Sequence, residues 1–277
     1  RLTILENSAR VARFFTSVAN TLSHELLQTL EHSFLWLYRH TRRLADAPAE
    51  DAPIAIARRA FIDAIFAFRD GINANREFVA YKTLVGFESV FLPEWEGDGM
   101  DPAVEEAYRN ERISELVADV NATNADAWLK ILQRCASTRS NDLAAFPPFG
   151  RFLEELARIR PEIVEAYFDR LGDDLANFLP AMLRGMETTA RWPATKARID
   201  QWVSQRRYLS QILWHQRFSD KIDVGLIKQA LALAVEDGID SSLAISNHCL
   251  WPWIRVPARR PAPPARSFWS AIRPSGQ

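Results

Sequence analysis

The chain has 277 residues, of which 48% are hydrophobic and 25% are charged, the proportions of an ordinary globular protein rather than a disordered one. Its formal net charge of −1 provides no overall attraction to nucleic acid or to an anionic membrane. Ten glycines are about half the usual share, which argues against all-β folds and against α/β enzymes with glycine-rich phosphate loops. Cys135 and Cys249 are too few for a disulfide framework or a thiolate metal site, and both fall in apolar helical patterns.

Membrane and secretion signals are not recognisable in the sequence. No apolar run approaches the roughly 18 residues that span a bilayer, and no signal peptide precedes the first helical pattern. The chain starts at Arg1, without a methionine, almost directly in a helix. We therefore expect a piece of a longer protein, located in the cytoplasm and without a membrane partner.

Helical periodicity begins at the N-terminus. In the second pattern Leu22, Leu26, Leu30 and Phe34 recur at steps of four along one face. The third pattern is expected to end near Gly71, where a glycine suits a left-handed cap. The first four predicted helices cover residues 6–20, 22–44, 54–71 and 75–92.

A proline-bearing and acidic stretch from Pro93 to Asp101 is the longest predicted loop. Helical patterns then continue over residues 102–120, 124–136, 148–159, 161–170, 173–187, 193–206, 208–217, 223–236 and 239–250. Pro180 falls inside one of these patterns and should kink or split the helix, because it removes a helical hydrogen bond. Asp173 and Asp174 are expected at a helix N-terminus, where carboxylates complement the helix dipole.

A repeat is indicated by prolines that open helical patterns at regular intervals. Pro53, Pro102, Pro147 and Pro193 are separated by 49, 45 and 46 residues, and each interval holds two helical patterns. Helical-repeat proteins have such periods, because one helix pair cannot bury its apolar face until a neighbour stacks on it. No segment alternates with period two. We predict an all-α, right-handed α-solenoid of about five helix pairs over residues 1–255.

The composition changes at the C-terminus. Residues 256–277 contain five prolines and no acid, and we expect a disordered or loosely docked tail. Exposed aromatic and arginine side chains are enriched at interfaces, so this end of the chain is the predicted partner-binding element. Its proposed contact residues are Trp251, Trp253, Arg259, Arg260, Arg266, Phe268 and Trp269. The alternatives are an idle tail, or one that folds back on the acidic body.

Candidate catalytic and metal-binding residues do not form a recognisable site. His24 and Glu25 resemble the start of a zinc-protease helix, but Gln28 stands where the second histidine is needed, and we expect both residues to face solvent. His24, His32 and His40 are each separated by about 12 Å along a helix, too far to share a metal. His215 is expected to be packed rather than catalytic.

Acidic residues of the predicted loop do not fit a calcium site either. Position twelve counted from Asp98 is Arg109, where a bidentate carboxylate is required. No P-loop, G-x-G-x-x-G or G-x-S-x-G motif occurs in the chain. We therefore expect no catalytic residue, no metal and no cofactor, although scattered acidic residues leave a helical enzyme as a further alternative.

One segment resembles a known family. The residues Ser140-Asn141-Asp142-Leu143, Phe146-Pro147, Phe149-Gly150-Arg151-Phe152-Leu153 and Arg160-Pro161-Glu162-Ile163 resemble a HEAT-like helical segment of large bacterial multidomain proteins. Some of these proteins carry a STAND-type P-loop ATPase and act in anti-phage defence. The resemblance is best over residues 112–187. It implies HEAT-like helix pairs and a role in antiviral defence, and it brings no catalytic residue to this chain.

These observations together predict a non-catalytic scaffold or sensor module of a larger bacterial protein, which recognises a protein partner. The alternative is a nucleic-acid-binding α-solenoid with an arginine-lined concave face, whose affinity would fall steeply with salt. The oligomeric state stays open.

Overall fold

The computed structural model describes residues 2–45, 51–85, 89–97, 102–138, 146–219 and 221–237, and within these ranges it contains helices and no strand. The all-α prediction is confirmed. The helices up to residue 137 are α1 (Leu2–Val18), followed by a 3₁₀ turn (Ala19–Thr21), α2 (His24–Ala45), α3 (Ala52–Asn73), α4 (Arg76–Val85), α5 (Leu92–Glu96), α6 (Pro102–Asp119) and α7 (Ala125–Ser137). The later helices are α8 (Pro147–Ile159), α9 (Pro161–Tyr167), α10 (Gly172–Ala176), α11 (Leu179–Met186), α12 (Trp192–Ser204), α13 (Leu209–Phe218) and α14 (Val224–Glu236).

Proline stands in the first turn of seven of these helices. The four prolines that define the predicted period open α3, α6, α8 and α12, and three further prolines open α5, α9 and α11. Proline is favoured at this position because its missing N–H is not needed there. Pro180 accordingly splits its predicted helix into α10 and α11, as expected. The prediction of two helices per proline interval is wrong, because α8, α9, α10 and α11 all lie between Pro147 and Pro193.

Three predicted details of the N-terminal part are also wrong. The helix predicted at 75–92 ends at Val85, and residues 89–91 are not helical. Helix α3 continues through Gly71 to Asn73, and its C-cap residue Ala74 has a right-handed φ of −74°. The predicted loop after residue 92 begins as the short helix α5, because the Glu94 carboxylate accepts a hydrogen bond from the backbone N–H of Phe91 at 3.0 Å. This contact caps the helix from within its first turn.

The N-terminal core lies between α1, α2 and α3. Helices α1 and α3 pack along most of their length, and both carry buried alanines that permit close approach, namely Ala9, Ala12, Ala57 and Ala64. Phe34 of α2 and Phe68 of α3 fill the centre, with their rings 4.9 Å apart in an edge-to-face arrangement. The apolar faces of the three helices thus bury one another.

A second and larger core extends from Ala80 to Ala234. Helix α4 belongs to both cores, since Phe78 lies in the first and Leu84 in the second. Beyond α4, the helices contact each other in the order α6, α8, α11, α13 and α14. Helix α7 also contacts α10, and α12 contacts α14. The second core is therefore shared by successive helices along the chain.

The spacing of the helices in this series changes along the chain. Helices α6, α8, α11 and α13 begin at residues 102, 147, 179 and 209, so the first interval is 45 residues and the next two are 32 and 30. Pro193 opens α12, which lies between two members of the series. The regular proline spacing therefore does not follow the structural spacing beyond α8.

Candidate functional site

The predicted partner-binding residues, Trp251, Trp253, Arg259, Arg260, Arg266, Phe268 and Trp269, lie outside the described residues. The helix predicted at 239–250 also lies outside them. Both therefore stay predictions.

His24 is the clearest correction at a candidate residue. The imidazole is buried rather than exposed, and its ring lies 5.7 Å from that of Phe78 and 5.2 Å from that of Tyr81. Burial lowers the pKa of His24, and the nearby Arg134 acts in the same direction. Glu25 is exposed, as predicted. His24 is thus a neutral packing residue between α2 and α4.

Other titratable side chains are either buried or placed in the first turn of a helix. Cys135 is fully buried, and burial raises the pKa of its thiol, so it is an inert core residue. His215 is also buried, with Nε2 at 3.2 Å from the Glu187 carboxylate, within ion-pair distance but without the alignment of a hydrogen bond. The Asp173 and Asp174 carboxylates lie in the first turn of α10, as predicted.

A groove runs along α4 between α3 and α6, and we call it the α4 groove. It consists of two adjoining cavities of about 220 and 490 Å³, which share Asn73, Val79, Thr83 and Arg112 as lining residues. The smaller cavity is also lined by Phe91 and by Trp95 of α5, whereas the larger one extends to α7.

The smaller cavity has a buried ion pair in its wall. Lys82 of α4 is 3% exposed and Glu31 of α2 is 0% exposed. Lys82 Nζ donates to both Glu31 carboxylate oxygens, at 3.1 and 2.9 Å, and to the carbonyl oxygen of Val90 at 2.7 Å. Asn73 Nδ2 donates to the same carboxylate at 2.7 Å. Sequence analysis missed this network, although a lysine within the apolar stretch FVAYKTLV was a visible signal.

This arrangement makes Lys82 a structural residue. All three ammonium protons are donated, so the group is not free to act as a base or a nucleophile. Burial lowers the pKa of Lys82, and the Glu31 carboxylate opposes that effect. The pair connects α2 to α4 through the core. Burying either charged side chain without its partner would destabilise the protein.

Aromatic and cationic side chains line the same cavity. The Arg69 guanidinium lies 4.4 Å from the ring centre of Phe66 and 5.5 Å from that of Trp95, and the Arg112 guanidinium lies 5.1 Å from the ring centre of Tyr108. Trp95 is buried, and its Nε1 has no hydrogen-bond partner among the described residues.

The larger cavity is bordered by paired charges. Arg76 of α4 contacts Asp119 of α6 at 2.9 Å, and the indole N–H of Trp128 donates to the other oxygen of Asp119 at 3.1 Å. Arg112 is paired with Glu115 at 2.6 Å. Within the described ranges, no group of three or more His, Cys, Asp or Glu side chains is arranged to hold a metal ion.

Arginine–carboxylate pairs also connect neighbouring helices outside the groove. Arg170 contacts Asp126 at 2.5 Å, and Arg198 contacts Asp169 at 2.6 Å. Further pairs of this kind are Arg184–Glu154, Arg191–Glu165, Arg206–Glu236 and Arg206–Asp237. Five arginines are thus paired with carboxylates of another helix or turn outside the groove.

An exposed apolar stripe lies on the outer face of α1. Ile4, Val11 and Phe14 are 69%, 49% and 59% exposed, and their spacing places them within one quarter of the helix circumference. The opposite side of α1 packs on α3. Trp36 of α2 is exposed as well, and its ring is stacked on that of His40 at 5.5 Å. Exposed aromatic and aliphatic side chains of this size are typical of interaction surfaces.

None of the described helices is both long enough and apolar enough to cross a membrane. Comparison with known proteins finds no matching family model, no matching curated protein and no matching solved structure.

Proposed function

We propose that this chain is a non-catalytic scaffold or sensor module, built as a right-handed α-solenoid of HEAT-like helix pairs, which recognises a protein partner. The solenoid is supported by the succession of contacts α6–α8–α11–α13, in which each helix contacts another that follows it in the chain with one or two helices between them. The resemblance of residues 112–187 to HEAT-like segments of bacterial defence proteins is the ground for placing the module in a larger bacterial protein in the cytoplasm.

The observation that carries the recognition role is the exposed stripe of α1, formed by Ile4, Val11 and Phe14. Among the described residues α1 packs chiefly on α3, and a second apolar face is unfavourable in water unless a partner covers it. Aromatic anchors such as Phe14 contribute most where a partner pocket surrounds them. We therefore place a partner-binding surface on α1.

A catalytic role has less support. Lys82 is saturated with hydrogen bonds, and burial holds the Cys135 thiol in its protonated form. An activated nucleophile needs an available base or a lowered pKa. Cys135 has neither, and Lys82, although burial lowers its pKa, is held by the Glu31 carboxylate and the Val90 carbonyl.

Nucleic-acid binding is the competing function. Arginines that would contact phosphate must be available, yet Arg76, Arg170 and Arg198 are paired with carboxylates at 2.9, 2.5 and 2.6 Å. A phosphate would have to displace these carboxylates and would meet their negative charge. We therefore expect that the chain does not bind nucleic acid through phosphate contacts. Binding that weakens steeply between about 50 and 200 mM salt should not be observed.

The test compares three versions of the chain as affinity baits in a bacterial lysate, with quantitative mass spectrometry of what is captured. The triple variant Ile4→Ser/Val11→Ser/Phe14→Ser should lose proteins that the wild type enriches. The matched control Val104→Ser, which removes an exposed valine from α6, should retain them. Equal capture by all three baits, or salt-sensitive binding of a 30-nucleotide probe in a gel shift, would overturn the proposal.

A further inference from the structure

Helix α14 is apolar over two faces. Apart from Gly225, Lys228, Gln229 and Glu236, all its residues are apolar. Its inner stripe consists of Leu226, Ala230 and Ala234, which are buried where α14 packs on α12 and α13. This contact accounts for one face of the helix only.

A second apolar stripe lies beside that contact, about 100° around the helix axis from it. Val224 and Val235 are 58% and 63% exposed, and Ile227 and Leu231 between them are half-buried. The four residues are separated by three, four and four positions, which places them on one side of the helix. Their exposure is unusual, because the last helix of a stack normally presents a polar face to water.

The sequence of α14 is therefore typical of a helix that neighbouring helices cover on both of its apolar stripes. We propose that residues 239–250 form a further helix that packs on the stripe of Val224, Ile227, Leu231 and Val235, and so closes this end of the stack. The chain continues for 40 residues after Asp237. A segment that could cover the stripe therefore follows α14 directly in the same chain.

The sequence of the segment fits the stripe. Ile239, Leu243 and Leu250 fall on one side of a helix, with Cys249 beside them. At 1.5 Å per residue the segment would be about 18 Å long, and α14 is about 20 Å long. The two helices can thus cover each other along their full length.

The connection is short enough for an antiparallel pair. Asp237 is the C-cap residue of α14, and Gly238 follows it at the position where glycine most often allows a helix to end and the chain to turn back. Asp240 would lie in the first turn of the next helix, where a carboxylate complements the helix dipole. Loops of two to five residues commonly join antiparallel helices.

Residues further along the chain are less suitable occupants. The five prolines of residues 256–277 prevent a continuous helix of the required length. The same stretch carries four arginines and no carboxylate, whereas the stripe on α14 is apolar. We therefore assign the stripe to residues 239–250 and not to the tail.

Hydrogen exchange of the full chain, measured by mass spectrometry, tests the proposal. Amides of 242–250 should exchange slowly in the wild type. They should exchange about tenfold faster in Val224→Ser/Val235→Ser, because loss of buried aliphatic groups makes local opening easier. The reciprocal variant Leu243→Ser/Leu250→Ser should accelerate exchange in α14. Ala232→Ser, on the polar side of α14, is the matched control and should change neither region.

Several results would overturn the proposal. Exchange of 242–250 at the rate of an unstructured chain in the wild type would show that the segment does not dock. Insensitivity of this region to Val224→Ser/Val235→Ser would show that it docks elsewhere. Protection of the stripe that rises with protein concentration would assign it to a second copy, and protection lost only in Trp251→Ala/Trp253→Ala would assign it to the aromatic residues that follow.

Discussion

Lys82 and Glu31 show how a single pair of residues connects two parts of the chain that are far apart in sequence. Both side chains are buried, and the hydrogen bonds to Asn73 and to the Val90 carbonyl complete the network. Burying two charges costs solvation energy, so the pair as a whole contributes little net stability. Because both charges are buried, removing either side chain should destabilise the protein by leaving the other charge without a partner.

We expect Lys82→Met to lower the free energy of unfolding by about 3–5 kcal/mol, because the Glu31 carboxylate would stay buried without its cation. Adding Glu31→Leu to this variant should restore a large part of the loss. Urea unfolding of the two single variants and the double variant measures the coupling. A loss below about 1 kcal/mol in Lys82→Met, or strict additivity of the two changes, would contradict this interpretation.

Gly185 illustrates a constraint that acts between two helices. It lies on the face of α11 that packs on α8, and a Cβ atom there would collide with the Glu154 carbonyl oxygen and lie 2.6 Å from the Ala157 Cβ. The backbones of α8 and α11 can approach this closely only because glycine has no side chain. Gly71 in α3 has no such neighbour within 4 Å.

Gly185→Ala should therefore destabilise the protein by about 1–3 kcal/mol through overpacking between α8 and α11. Gly71→Ala is the matched control, and it should be neutral or stabilise the protein by up to about 1 kcal/mol, because alanine has the higher helix propensity. Thermal and urea unfolding measure both changes. If the two variants had equal stability, the close contact between α8 and α11 would be disproved.

The two hydrophobic cores give the molecule a regional organisation. The first lies among α1, α2 and α3, the second extends from α4 to α14, and α4 contributes side chains to both. In a stack where each unit contacts only its neighbours, stability is determined locally and passes from one unit to the next. A disturbance in one core should therefore weaken as it passes through α4.

We expect Phe34→Ala to accelerate hydrogen exchange in α1, α2 and α3 while α11, α13 and α14 keep the wild-type rates. Met182→Ala, in the second core, should have the opposite regional effect. Both side chains are buried, so each truncation creates a cavity of similar kind. Equal acceleration throughout the chain in both variants would instead show that the described helices unfold as one cooperative unit.

Local sequence patterns were sufficient to predict the helical fold and many of its details. The helices recur at apolar spacings of three and four, proline opens them, and Pro180 splits one of them, because helix formation and termination depend on neighbouring residues. The buried position of Cys135 and the placement of Asp173 and Asp174 in a first helical turn were predicted for the same reason.

Only the tertiary structure decided the features that join distant residues. Lys82 and Glu31 are 51 positions apart, and His24 is buried because α4 happens to cover it. The close approach at Gly185 and the shortening of the helix spacing from 45 to about 30 residues likewise depend on which helices meet. Such contacts are determined by the packing of whole helices, and a periodic pattern specifies which face is apolar without specifying which helix will cover it.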